Sequence, residues 1–243
     1  MKMVRRIVLV VAVIVAVIAA WQIYTIVMDG FNSDTANSEI VGIADDSDGD
    51  GRSLFDYLGN FIGGGSSYQT EEQLRAAQMR RINFAALQAR NPDIVAWIYI
   101  PNTVVNYAVT QTTNNDFYLD HNALRQFSRA GAIFLDFECA SDFSAIDTIV
   151  YGHHMRDRTM FGVLPEYANA TFAAGHRYIF IYTPTETRRY SYATSFRSMS
   201  RLERSTDTEV QMLTLVTCNY TGGYSHYVVR ATLYTVREPG AAP

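Results

Sequence analysis

From Ile7 to Met28 the chain is apolar without a break, IVLVVAVIVAVIAAWQIYTIVM, with Gln22 the only strongly polar side chain in the run. At about 1.5 Å per residue such a run makes a helix of roughly 33 Å, enough to cross a hydrocarbon layer of about 30 Å. Lys2, Arg5 and Arg6 precede it, and Asp29 and Asp34 follow. That asymmetry puts residues 1–6 in the cytoplasm and everything after the anchor at 7–28 outside. Trp21 and Tyr24 fall near the outer interface. The run is longer than the apolar core of a signal peptide, and Trp21-Gln22-Ile23-Tyr24 is a poor small-residue cleavage site, so the pattern predicts an uncleaved anchor.

Residues 29–69 lose the sustained apolar period and are rich in Asp, Ser, Asn and Gly, ending in Gly63-Gly64-Gly65-Ser66-Ser67; they are expected to be a stalk. Thr70-Glu71-Glu72-Gln73 has the form of a capping box, and Leu74, Ala77, Ile82, Phe84 and Leu87 follow at roughly helical spacing until Asn91-Pro92. A helix over 70–90 packed on the next domain is the expectation. Strand-like runs then follow at 95–100, 104–110, 132–137, 147–151, 178–182, 189–196, 212–218 and 227–236, with one helical interval at 161–172. About eight short strands separated by turn residues predict a mainly β, closed or sandwiched domain over 91–238, with a tail at 239–243.

The chain has 243 residues, a net charge of −4 and 18% charged residues, a balance that gives no reason to expect nucleic acid as a partner. Its two cysteines, Cys139 and Cys218, are too few for a disulfide framework. Asp46-Ser47-Asp48-Gly49-Asp50-Gly51 matches the first half of an EF-hand loop, but position twelve is Tyr57 where a bidentate Glu is needed. The expectation is an acidic linker, with no metal and no cofactor.

The chemistry concentrates at Cys218, which ends the apolar strand Thr214-Leu215-Val216-Thr217-Cys218. A thiol at the rim end of a buried strand is held on a rigid element, as a nucleophile requires, although a small apolar residue ending a core strand fits the same pattern. A thiol nucleophile needs a base and a group to stabilise an oxyanion. His153 and His154 follow Gly152 at the end of the 147–151 strand, and Arg230 lies in the strand after Cys218. Arg230 would face Cys218 only if the connection were centred on Tyr224; a tight turn at Gly222-Gly223 would pair Arg230 with Leu215 instead.

Thr214–Cys218 (TLVTC), Val150–Met155 (VYGHHM), Trp97–Thr103 (WIYIPNT), Asn114–His121 (NNDFYLDH), Gly131–Asp136 (GAIFLD) and Met160-Phe161 are all present in the chain. Together they resemble the sortases, membrane-anchored cysteine transpeptidases of Gram-positive bacteria, and among those class B most. The resemblance covers residues 70–236. It implies a sortase-type β-barrel of eight strands with an N-terminal helix and a short helical insert, preceded by one transmembrane helix.

The same resemblance makes Cys218 the nucleophile, His153 the catalytic histidine with His154 as the other choice, and Arg230 the group that steadies the oxyanion. Thr217, Asn115 and Leu119 become substrate-pocket positions. The implied reaction cleaves a C-terminal sorting signal of a surface protein through a thioester and passes the acyl group to an amine. That amine belongs to a peptidoglycan cross-bridge or, in a pilin-polymerising member, to a pilin lysine; an inactive binding module is the remaining reading. The lipid bilayer is a partner through the anchor, and the catalytic domain is expected to be extracellular. Class B members carry a long helix-bearing insert before the cysteine strand, whereas only 197–211 separates the two strands here. Cys139 has no counterpart in the signature and is expected to be a structural or exposed thiol.

Overall fold

The computed structural model describes residues 2–44, 68–199, 204, 209–218 and 226–238. A single long helix, α1 (Lys2–Ala44), takes in the apolar run and continues past it. Its segment Arg5–Thr25 is long and apolar enough to cross a membrane, and none of it is buried inside the protein. Beyond Thr25 the helix persists because Ala36, Ile40, Val41 and Ala44 recur on one stripe and bury against the barrel. The stretch expected as stalk from residue 29 therefore begins as a packed helix. The remainder, 45–67, including the half EF-hand sequence, lies outside the described residues.

The helix expected over 70–90 is two helices, α2 (Glu71–Met79) and α3 (Phe84–Arg90). Thr70 and Gln73 form the capping box, with Gln73 N donating to Thr70 Oγ1 at 3.3 Å and Thr70 N donating to Gln73 Oε1 at 2.9 Å. The break falls where Asn83 caps α3, its Oδ1 accepting from Ala86 N at 3.0 Å. Arg80 leaves the helix in an extended conformation and stacks its guanidinium over Trp97, Tyr99 and Tyr182.

All eight expected strand runs form strands: β1 (Ile94–Tyr99), β2 (Asn106–Thr110), β3 (Ile133–Leu135), β4 (Asp147–His153), β5 (Tyr178–Tyr182), β6 (Thr187–Ser198), β7 (Met212–Cys218) and β8 (His226–Arg237). They close into a barrel in the order β1-β2-β3-β4-β7-β8-β6-β5, parallel at β2/β3 and β4/β7 and antiparallel elsewhere. The helical interval is a 3-10 turn, Leu164–Ala168, followed by α4 (Ala170–Gly175). The interior holds Ile98, Val109, Ile133, Leu213, Leu215 and Val229, while Ile40, Leu74, Leu87 and Trp97 form a second core under the helices. This arrangement makes β4 and β7 neighbours although 58 residues (154–211) separate them in sequence.

Candidate active site

β4 and β7 run parallel in unbroken register from Asp147 opposite Met212 to His153 opposite Cys218. Both strands thus end at one rim, with the expected histidine and the expected nucleophile as Cα partners. Alternation places Tyr151 and His153 on the same side of the sheet as Thr214 and Val216. Leu213 and Leu215 take the opposite side, and both belong to the main core.

His153 is buried, and its Nε2 lies 2.6 Å from the carbonyl oxygen of Leu119. A carbonyl only accepts, so Nε2 carries the proton. Burial pulls the pKa of His153 below its ordinary value, against the opposing pull of the Leu119 hydrogen bond. The ring is therefore a neutral imidazole near pH 7. Two glycines make room for it. A Cβ on Gly152 would stand 2.4 Å from Ile133 Cδ1 and 2.8 Å from the Phe161 ring. Gly131 has φ +58°, and a Cβ there would meet the Tyr118 and Leu119 carbonyls at 2.5 and 2.7 Å and His153 Cδ2 at 3.0 Å. His154 is one residue past the strand end and bridges to Met160, out of register with Cys218.

Arg230 is not where it was expected. β7 and β8 pair from Met212 opposite Thr232 to Thr217 opposite Tyr227, which sets Arg230 opposite Thr214. It is offset from Cys218 by four residues, about 13 Å along the strand. Its guanidinium lies over the Phe196 ring at 5.4 Å, on β6 and thus on the far side of β8 from Cys218. The pairing is tighter than either turn considered from the sequence.

Thr217 is buried, 1% exposed, immediately before Cys218 on β7. Leu119 contributes its carbonyl to His153. Asn115 donates from Nδ2 to Asp136 Oδ2 at 3.1 Å and accepts from Phe137 N at 3.0 Å, tying its loop to the end of β3.

Two features were not singled out from the sequence. Asp136 is a buried carboxylate that accepts from Asn115, from the Tyr151 hydroxyl at 3.1 Å and from Arg204 at 3.2 Å. Arg204 comes from the β6–β7 connection and also meets Glu138, so it fastens that connection to β3 and β4. The second is His226, the first residue of β8, whose Nδ1 is 3.1 Å from the Thr217 carbonyl oxygen. Cys139 is a free, buried thiol, which excludes a Cys139–Cys218 disulfide. Among the described residues no group of three His, Cys, Asp or Glu side chains is placed to hold a metal ion.

A family model described as the sortase domain matches residues 98–234, more than half of the chain. The chain belongs to the sortase family. Its relatives are of class B. Sortase B of Listeria monocytogenes is 40% identical over 90 residues, which are 37% of each chain. Sortase B of Staphylococcus aureus is 40% identical over 99 residues, 41% of each chain. The matched stretches thus span about two fifths of these curated sortases. The crystal structure of sortase B from B. anthracis is similar over 86% of this chain and 99% of that one, with TM-score 0.65 and 26% identity. The eight-stranded barrel is therefore a sortase barrel, and the β4/β7 rim lies within the matched region.

Proposed function

We propose that this sortase is a membrane-anchored cysteine transpeptidase, with Cys218 as nucleophile and His153 as the proton carrier. The observation that carries the reading is the Cα pairing of His153 with Cys218 at the shared rim of β4 and β7. Neutral His153 accepts the thiol proton, and the thiolate sulfur attacks the scissile carbonyl carbon. The imidazolium then gives that proton to the leaving amine as the C–N bond breaks, which leaves a thioester. An incoming amine attacks the thioester, loses its proton to His153 and expels the thiolate. The substrate class is the C-terminal sorting signal of a surface protein, and the acceptor is an amine of the cell wall. Arg5–Thr25 holds the enzyme in the bilayer with its N-terminus in the cytoplasm and the barrel outside, where both substrates are found.

The test is cleavage of a fluorogenic peptide library by the full chain in detergent micelles, with and without an amine acceptor. Amine-dependent product that is absent in Cys218→Ala and His153→Ala supports the reading. Cleavage that survives Cys218→Ala, or that is indifferent to the amine, overturns it in favour of another nucleophile or of simple hydrolysis.

A further inference from the structure

The carboxylate of Asp136 touches both the strand that carries His153 and the turn that holds its ring. It follows β3 directly, is 5% exposed and is met by four donors. Oδ2 accepts from the Tyr151 hydroxyl and from Asn115 Nδ2, each at 3.1 Å. Oδ1 accepts from Glu138 N at 2.9 Å and from Arg204 Nη2 at 3.2 Å.

Each Oδ2 contact leads to His153 by a short route. Tyr151 is two residues before His153 on β4, and it packs beside Phe117 and Leu119 on the cluster of Tyr118, Ala132 and Phe134. Burial and the Asp136 charge push the pKa of its hydroxyl up, so Tyr151 keeps its proton and stays a donor. Asn115 is four residues before Leu119, and it is tied a second time by accepting from Phe137 N. Between the two, Asn114 Oδ1 accepts from Asp116 N and Phe117 N, which stiffens the turn. The turn ends in the Leu119 carbonyl, 2.6 Å from Nε2 of His153. Both sides of that contact are thus tied to one carboxylate oxygen.

We propose that Asp136 is a positioning residue for His153: through Tyr151 and Asn115 it sets the distance between β4 and the Leu119 carbonyl, and so keeps the ring proton on Nε2. It acts on the histidine alone and takes no part in proton transfer. An amide cannot replace it. In Asp136→Asn the NH2 group faces a group that only donates whichever way it is turned, Asn115 Nδ2 on one side or Glu138 N and Arg204 on the other. Asn115 cannot turn over to relieve this, because its own oxygen is held by Phe137 N. In the double variant Asn115→Asp/Asp136→Asn the contact is reversed, and the carboxylate at 115 accepts both from the amide at 136 and from Phe137 N.

The inference rests on His153 being the proton carrier, and two readouts keep the questions apart. With the full chain in micelles, ¹⁵N shifts of the histidine rings report the tautomer of His153, and peptide cleavage reports turnover and KM. Asp136→Asn is expected to mix the two tautomers and to slow turnover about 10–100-fold with KM nearly unchanged, the effect of a catalytic group displaced by up to about 1 Å. The reversed pair is expected to restore the Nε2 tautomer. Ile40→Ala, which loosens the second core under the helices, is the stability control and is expected to leave the tautomer as it is.

If Asp136→Asn does not fold, Tyr151→Phe supplies the outcome through the same ring signals, since it removes one of the two Oδ2 donors and is expected to move them in the same direction. Unmoved His153 signals in the folded variant overturn the inference. So does an equal change in Ile40→Ala, or a mixed tautomer that persists in the reversed pair. A mixed tautomer with unaltered turnover upholds the inference and overturns the role of His153 as proton carrier.

Discussion

Leu119 offers its carbonyl oxygen to Nε2 of His153 at 2.6 Å, and this contact decides what the histidine can do. It puts the ring proton on Nε2 and holds the ring against the Leu119 backbone. Burial adds that the ring prefers to be neutral.

The sign of the pH effect on stability follows. His153 has a folded pKa below its unfolded value, so between the two the unfolded chain binds more protons. Stability is then intact above about pH 6.5 and declines as the pH falls through the unfolded pKa toward the folded one. Thermal unfolding between about pH 7.5 and pH 5 should show a steeper fall in Tm for wild type than for His153→Gln. Equal slopes would mean that His153 is not desolvated in solution.

Gly131→Ala should damage both fold and activity. A left-handed backbone costs a residue with a side chain about 1–3 kcal/mol, and the added methyl would press on two carbonyls and on the His153 ring. We expect a lower Tm together with turnover slowed by about tenfold or more, since on the proposed reading the displaced ring is the proton carrier. Calorimetry and peptide cleavage read the two effects. A stability loss with unaltered turnover would separate Gly131 from the positioning of His153.

Gly152→Ala is a steric matter and can be relieved. Overpacking of this kind costs about 1–3 kcal/mol, and the nearest obstruction is Ile133 Cδ1 at 2.4 Å. Ile133→Val removes that atom. In a double-mutant cycle by urea unfolding, Gly152→Ala should be less harmful in the Ile133→Val background than in wild type, the residual cost coming from Phe161. Additive effects would count against the contact.

Ile40→Ala tests whether the end of α1 is part of the folded domain. Ile40 is 1% exposed in the second core, and truncating a buried isoleucine costs about 2–5 kcal/mol. A drop of that size in unfolding free energy is expected, and a chain lacking residues 1–44 should be destabilised further. A neutral substitution would mean that α1 leaves the barrel in solution.

Much of the barrel was legible because its strands carry their own signals: short apolar runs punctuated by Pro, Gly and Asn. Cys218 and Gly152-His153 were legible for the same reason, since each ends such a run. Register was not. Whether Arg230 stands opposite Cys218 or, as found, opposite Thr214 depends on how β7 and β8 slide past each other, and no local feature of either strand declares it. The continuation of α1 was hidden differently: Ala36, Ile40, Val41 and Ala44 are too sparse among polar neighbours to announce a helix, and it takes the barrel surface to make their stripe worth burying. The break at Asn83 shows local chemistry overruling a longer apolar period, because its side chain caps a new helix there.

The unbroken α1 sets where the barrel sits relative to a membrane. From Thr25, where the apolar segment ends, to Ala36, where burial on the barrel begins, the helix advances only about 16 Å. In a bilayer crossed by Arg5–Thr25 the barrel is thus mounted on a short, stiff handle and not on a leash. It can swivel and drift with the membrane, but its height is set by the length of one helix. On the transpeptidase reading proposed above, polypeptides presented far above that level are out of range, and the donor and the amine must both be brought down to a thin layer next to the lipid.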